Sequence, residues 1–185
     1  MADLVQTERE FRAVIAECNA LFTKKLHDYG AAWRILRPES LTDQLYIKSN
    51  RIRTLQTKAE KMVDEDEVSE FIGLVNYAII GMIQLHYGAV EKEDMSIEEA
   101  EEAYRHFAET TLALMLRKNH DYDEAWREMR VSSFADLILM KIFRTKQIED
   151  NQGQTLVSEG VEANYQDIMN YAVFALIKLG VAENK

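Results

Sequence analysis

Lys48 and Arg51 lie one helical turn apart, and Lys141 and Arg144 repeat the pair further along the chain. Paired cations of this kind hold phosphate oxygens. Glu65, Ser69, Gly73 and Asn76 share one face of a helix at about 100° per residue, as do Glu159, Ala163, Asp167 and Asn170. Together with Glu70, the carboxylates Glu65, Glu159 and Asp167 are candidate ligands for a hard cation such as Mg2+. Asn76 is flanked by Ile72, Ile79, Ile80 and Ile83, so its amide is expected to be buried and to need hydrogen-bond partners; Asn170 is its counterpart. A third group is Lys25-x-His27-Asp28-Tyr29 followed by Trp33-Arg34, mirrored by Lys118-x-His120-Asp121-Tyr122 and Trp126-Arg127. The flat rings of Tyr29, Trp33, Tyr122 and Trp126 can stack on a nucleobase, and the neighbouring arginines can reach a phosphate. The same ionic residues would equally serve as a buried salt-bridge network, since a charge inside a bundle is costly unless paired.

These residues recur because the chain is a tandem duplication. At a shift of 93 residues, Leu21, Lys25, His27, Asp28, Tyr29, Ala32, Trp33, Arg34, Lys48 and Arg51 meet identical residues from Leu114 to Arg144. After a one-residue insertion, Glu65, Asn76, Tyr77 and Ala78 meet Glu159, Asn170, Tyr171 and Ala172. Each copy reads as three helices. In the first, Thr7 with Glu10 resembles a capping box ahead of the periodic Phe11, Val14, Cys18 and Phe22, with the helix ending near His27. Helices are then predicted over about 42–62 and 64–86. In the second copy Ser96 with Glu99 caps the first helix, Ser133 with Asp136 starts the second, and Ser158 or Glu159 opens the last, which runs to Leu179. The expected fold is all-α: six helices, residues 1–90 and 91–185, forming one compact domain as a pseudo-twofold bundle.

Composition narrows the chemistry. The 185 residues include 1 Pro and 7 Gly, too little turn punctuation for an all-β fold. A net charge of -10 argues against a nucleic-acid polymer as partner. A single cysteine, Cys18, excludes a disulfide framework or a four-cysteine zinc site within the chain. His27 and His120 lack a second histidine at metal-ligand spacing. There is no Gly-rich phosphate loop, nucleophile elbow or His-Glu-x-x-His motif. The amino terminus does not read as a signal peptide, and the apolar run from Phe71 to Leu85 is shorter than the roughly 18–20 residues that span a bilayer. The expectation is a cytoplasmic protein without a membrane partner.

Lys25 to Trp33, followed by Asp43, Lys48, Arg51, Glu65 and Asn76-Tyr77-Ala78, resembles nucleotide modification associated domain 1, a bacterial and phage family, and both copies carry the pattern. Phage members of that family resemble in turn the all-α nucleoside triphosphate pyrophosphatases, including MazG-like and dimeric dUTPase enzymes. That second resemblance implies a small-molecule nucleotide partner and Mg2+-dependent cleavage of the α-β phosphate bond; whether two chains pair as a homodimer is left open by the sequence. On it, Glu65, Glu70, Glu159 and Asp167 would bind metal. Lys48, Arg51, Lys141 and Arg144 would hold phosphates, and Asp28, Tyr29, Trp33, Asn76, Asp121, Tyr122, Trp126 and Asn170 would complete the nucleotide site. The paired Glu-x-x-Glu and Glu-x-x-Asp motifs of those enzymes are uneven here. Glu67 and Glu70 face Val161 and Asn164 in the second copy, and Gly73 faces Asp167. The alternative function is a non-catalytic nucleotide-sensing or protein-interaction module.

Overall fold

The computed structural model describes residues 3–58 and 66–183. Among these residues are six helices: α1 (Leu4–Tyr29), α2 (Pro38–Thr57), α3 (Glu67–Tyr87), α4 (Ile97–Tyr122), α5 (Val131–Asp150) and α6 (Val161–Lys178). Short 3-10 turns, Ala32–Ile35 and Ala125–Glu128, precede α2 and α5. The described residues contain no strand, so the all-α expectation holds.

Most helix limits follow from local chemistry, and the exceptions have tertiary causes. Ser96 and Glu99 form the predicted capping box: the Ser96 hydroxyl accepts from the Glu99 amide at 3.1 Å, and the Glu99 carboxylate from the Ser96 amide at 2.8 Å. The similar Thr7–Glu10 pattern does not cap α1. Asp3 does, accepting from the Gln6 amide at 3.0 Å, because the buried Thr7 hydroxyl is taken by Glu124 of the second repeat. Helix α2 starts before the predicted Thr42, at Pro38, whose fixed φ suits the first helical position. Helix α3 is capped by Asp66, whose carboxylate accepts from the Ser69 amide at 2.9 Å. Helix α5 begins at Val131, slightly ahead of Ser133, and α6 at Val161, leaving Ser158 and Glu159 in the preceding loop. The predicted end of the second helix and start of the third fall partly outside the described residues.

Helices α3 and α6 pair at the centre, with α2 against α3, α5 against α6, and α2 and α5 against each other. Helix α1 packs on α4 and also reaches α6, while α4 reaches α3. Every such relation has a twin when the repeats are exchanged, as a pseudo-twofold axis requires. Buried Leu45, Ile52, Phe71 and Ile79 join Phe134, Ile138, Ile168 and Val173 in one contiguous core; each such side chain contributes about 1.5–3 kcal/mol. Gly81 lets the central helices close, because a Cβ there would lie 2.7 Å from the Tyr165 ring. Helix α3 is long and apolar enough to cross a bilayer, yet 67% of its apolar stretch is buried against the rest of the protein, as befits a central core helix.

Candidate functional site

In the first repeat, the end of α1, the 3-10 turn, α2 and α3 enclose an open cavity of about 480 Å3. Such a volume falls within the range of small-molecule sites, about 300–1,000 Å3. Tyr29 and Trp33 line it with Phe22, Tyr77 and Ile80, and its polar wall is Lys25, Lys48, Ser69, Glu70 and Asn76. Five predicted site residues therefore meet here: Tyr29, Trp33, Lys48, Glu70 and Asn76. Gly73 gives room for the Lys48 side chain to lie against α3 on this wall. A Cβ at that position would lie 2.7 Å from the Lys48 Cδ and Cε.

The charges are organised around Glu70. Its carboxylate is buried, 3.2 Å from Arg51 and 3.7 Å from Lys48. The Lys48 ammonium also lies 5.5 Å from the centre of the Tyr77 ring, a cation-π contact. Arg51 is thus held on Glu70 and is not part of the cavity wall. Asn76 has the partners its burial demands: its amide donates to the Cys18 carbonyl at 3.0 Å and accepts from the Tyr104 hydroxyl at 2.8 Å. Burial pushes the Tyr104 hydroxyl and the Cys18 thiol to pKa values well above their ordinary ones. Asp28 is exposed and is not in the cavity wall.

Arg34 does not reach into the cavity. It is fully buried and turned to the connector between repeats, donating to Asp94 at 2.9 Å, to the Gly88 carbonyl at 2.8 Å and to Gln84. Glu93 accepts from the Ala31 amide at 3.0 Å. Arg127 is likewise engaged, with Glu10 at 2.9 Å and with Glu124.

The second repeat has the same scaffold but fills it. Asp167, the counterpart of Gly73, sits 2.9 Å from Lys118 and 2.8 Å from Lys141, the counterparts of Lys25 and Lys48. Burial alone would raise the Asp167 pKa, but hydrogen bonds and charge from the two lysines outweigh it and hold the carboxyl below its usual value. Phe174, the counterpart of Ile80, stacks on Trp126 with ring centres 4.3 Å apart and planes 8° from parallel. Trp126 is consequently buried, whereas Trp33 is only part-buried and touches Phe22 at a tilt, 6.1 Å away. Arg144 and Glu159 border a separate depression beside Lys141. Tyr122 and Asp121 are exposed, Asp121 beside His120. The Asn170 carbonyl oxygen is buried without a partner among the described residues, and the residue that corresponds to Tyr104 in the first repeat is Phe11, which has no hydroxyl to donate.

Of the carboxylates predicted for a metal, the three that are described, Glu70, Glu159 and Asp167, do not form one cluster. Glu65 lies outside the described residues, Glu70 and Asp167 are each neutralised by two cations, and Glu159 is in the loop before α6. Among the described residues no three His, Cys, Asp or Glu side chains cluster at metal-binding distance. A hard dication takes several oxygen ligands, and Glu70, Glu159 and Asp167 alone do not supply such a set.

The repeated elements that build the two sites coincide with a known sequence family. A family model described as nucleotide modification associated domain 1 matches the chain twice, over residues 25–85 and 118–179. The chain belongs to this family. Both matches begin at the paired lysines Lys25 and Lys118 and run through the last helix of the repeat, so the nucleotide modification associated domain 1 unit includes every side chain lining the first cavity except Leu21 and Phe22. No curated protein and no solved structure matches the chain. Two lining residues, Lys25 and Tyr77, were not among the predicted site positions. The signal for them was their identity in both copies, at Lys118 and Tyr171.

Proposed function

We propose that the first repeat of this protein binds a nucleotide, and that binding rather than bond cleavage is its activity. The observation that carries this reading is the convergence, in one cavity, of a ring wall with a pair of ammonium groups. Tyr29, Trp33 and Tyr77 present the surface on which a base stacks. Lys25 and Lys48 offer charge-assisted hydrogen bonds to phosphate oxygens. Lys25 forms no ion pair among the described residues, so its charge is open to a ligand. Membership of a nucleotide modification family agrees with this chemistry. Pyrophosphohydrolysis has less support, because it calls for a metal-binding carboxylate set that the described residues do not assemble.

The test is a panel of nucleoside mono-, di- and triphosphates with and without Mg2+, read by thermal stabilisation and by product analysis. Stabilisation without turnover is expected. Lys25→Ala should weaken binding by about 10–100-fold, the scale of a hydrogen bond to a charged group, while leaving unfolding unchanged. Release of monophosphate and pyrophosphate would replace this reading with the pyrophosphohydrolase one. Absence of both binding and turnover would leave the polar wall as a structural network.

A further inference from the structure

We infer that the second repeat is a self-occupied copy of the first site, and that its occupants identify the ligand class as a nucleoside monophosphate. The inference rests on reading the first cavity as a nucleotide site. Two side chains differ decisively between the copies. Gly73 becomes Asp167, whose carboxylate lies between the ammonium groups of Lys118 and Lys141 at 2.9 and 2.8 Å. Ile80 becomes Phe174, whose ring stacks on Trp126 at 4.3 Å. One anionic group and one flat ring are thus supplied from within the chain to the lysines and tryptophan of the second copy, whereas in the first copy Gly73 and Ile80 supply neither and Lys25, Lys48 and Trp33 line a cavity. An anion joined to a planar ring is the outline of a nucleotide.

The number of phosphates follows from charge. Two lysines hold one carboxylate in the second repeat, and the corresponding two can match a phosphate monoester, which carries about -1.5 to -2 at neutral pH. Further phosphates would meet no additional lysine or arginine in the cavity wall, because Arg51 is held on Glu70, which stands where the second repeat has Asn164. The site therefore takes the nucleotide's single terminal anion, and the chain holds one ligand rather than two.

Calorimetric titration of the full chain tests this with nucleoside monophosphates, the matching triphosphates without divalent metal, and nucleosides. Wild type should bind one monophosphate per chain, at least about tenfold more tightly than the triphosphate or nucleoside. Asp167→Gly with Phe174→Ile should open a second site and raise the stoichiometry to two. Gly73→Asp should close the first by moving a carboxylate onto Lys48, whereas Gly73→Asn, of similar size but uncharged, should lose less affinity. If the double variant does not fold, Gly73→Asp against Gly73→Asn still decides, since equal losses would contradict the anion seat. A folded double variant that binds only one ligand, or a preference for triphosphate, would overturn the inference while leaving the nucleotide site standing. Failure of wild type to bind any nucleotide would overturn both.

Discussion

Replacing Tyr104 by Phe removes one oxygen from the centre of the bundle, and the consequence can be worked out from its surroundings. The hydroxyl donates to the Asn76 side chain at 2.8 Å, and Tyr104 is 1% exposed. Without it the Asn76 carbonyl oxygen becomes a buried acceptor with no donor, as Asn170 already has in the second repeat. Leaving such a group unsatisfied costs about 1–3 kcal/mol. For a chain of this length each kcal/mol moves the Tm by about 2–4 °C, so a fall of about 2–12 °C is expected. Burial holds the Tyr104 hydroxyl protonated well past its ordinary range, so the loss should be the same from pH 5 to pH 9. Urea unfolding of ligand-free protein measures it, with exposed Tyr87→Phe as a control expected within about 0.5 kcal/mol of wild type. In a double-mutant cycle with Asn76→Leu, the pair should show a coupling of about 0.5–3 kcal/mol. A loss below about 0.5 kcal/mol with an unchanged urea slope, or additive single effects, would refute the reasoning.

Two further outcomes follow from other contacts. Burial, reinforced by Glu39, Asp43 and Asp150, raises the Glu149 carboxyl pKa despite a hydrogen bond from Thr42. The folded state then binds this proton more tightly than the unfolded one, whose pKa is about 4.3, so stability falls as pH rises through that interval and stays lower above it. Glu149→Gln should therefore raise stability at pH 7 by up to about 1 kcal/mol, small because the group is partly solvated. The gain should vanish below about pH 4, as thermal melts across pH would show. Gly81→Val should destabilise by at least about 1–3 kcal/mol, because its side chain would collide with the Tyr165 ring between the central helices. A melt within 1 °C of wild type would show that α3 and α6 have slack there.

What could be read from the chain was whatever depends on neighbours in sequence. The Ser96–Glu99 box formed as predicted because both its hydrogen bonds close within one turn. The Thr7–Glu10 pattern is just as good locally, yet it lost to Asp3 because Glu124 takes the Thr7 hydroxyl from across the molecule. The need of Asn76 for partners was legible from its apolar flanks, but Tyr104 as the donor was not, since it belongs to the other repeat. For the site, the cationic and aromatic residues were visible as pairs conserved between copies, and the mismatch of Gly73 with Asp167 was visible too. Its meaning depended on where Lys118 and Lys141 project. Only the fold brings Lys118 and Lys141 together on the Asp167 carboxylate, a pairing that the first copy, with Gly73, cannot make.

The strap between the copies is also a brace. Glu93 and Asp94 fasten the turn that carries Trp33, and the Val90 amide donates to the Arg34 carbonyl at 3.0 Å. A cut in this tether would do more than free two halves from each other: it would slacken one side of the open chamber, so an intact covalent join is part of what keeps that chamber in shape.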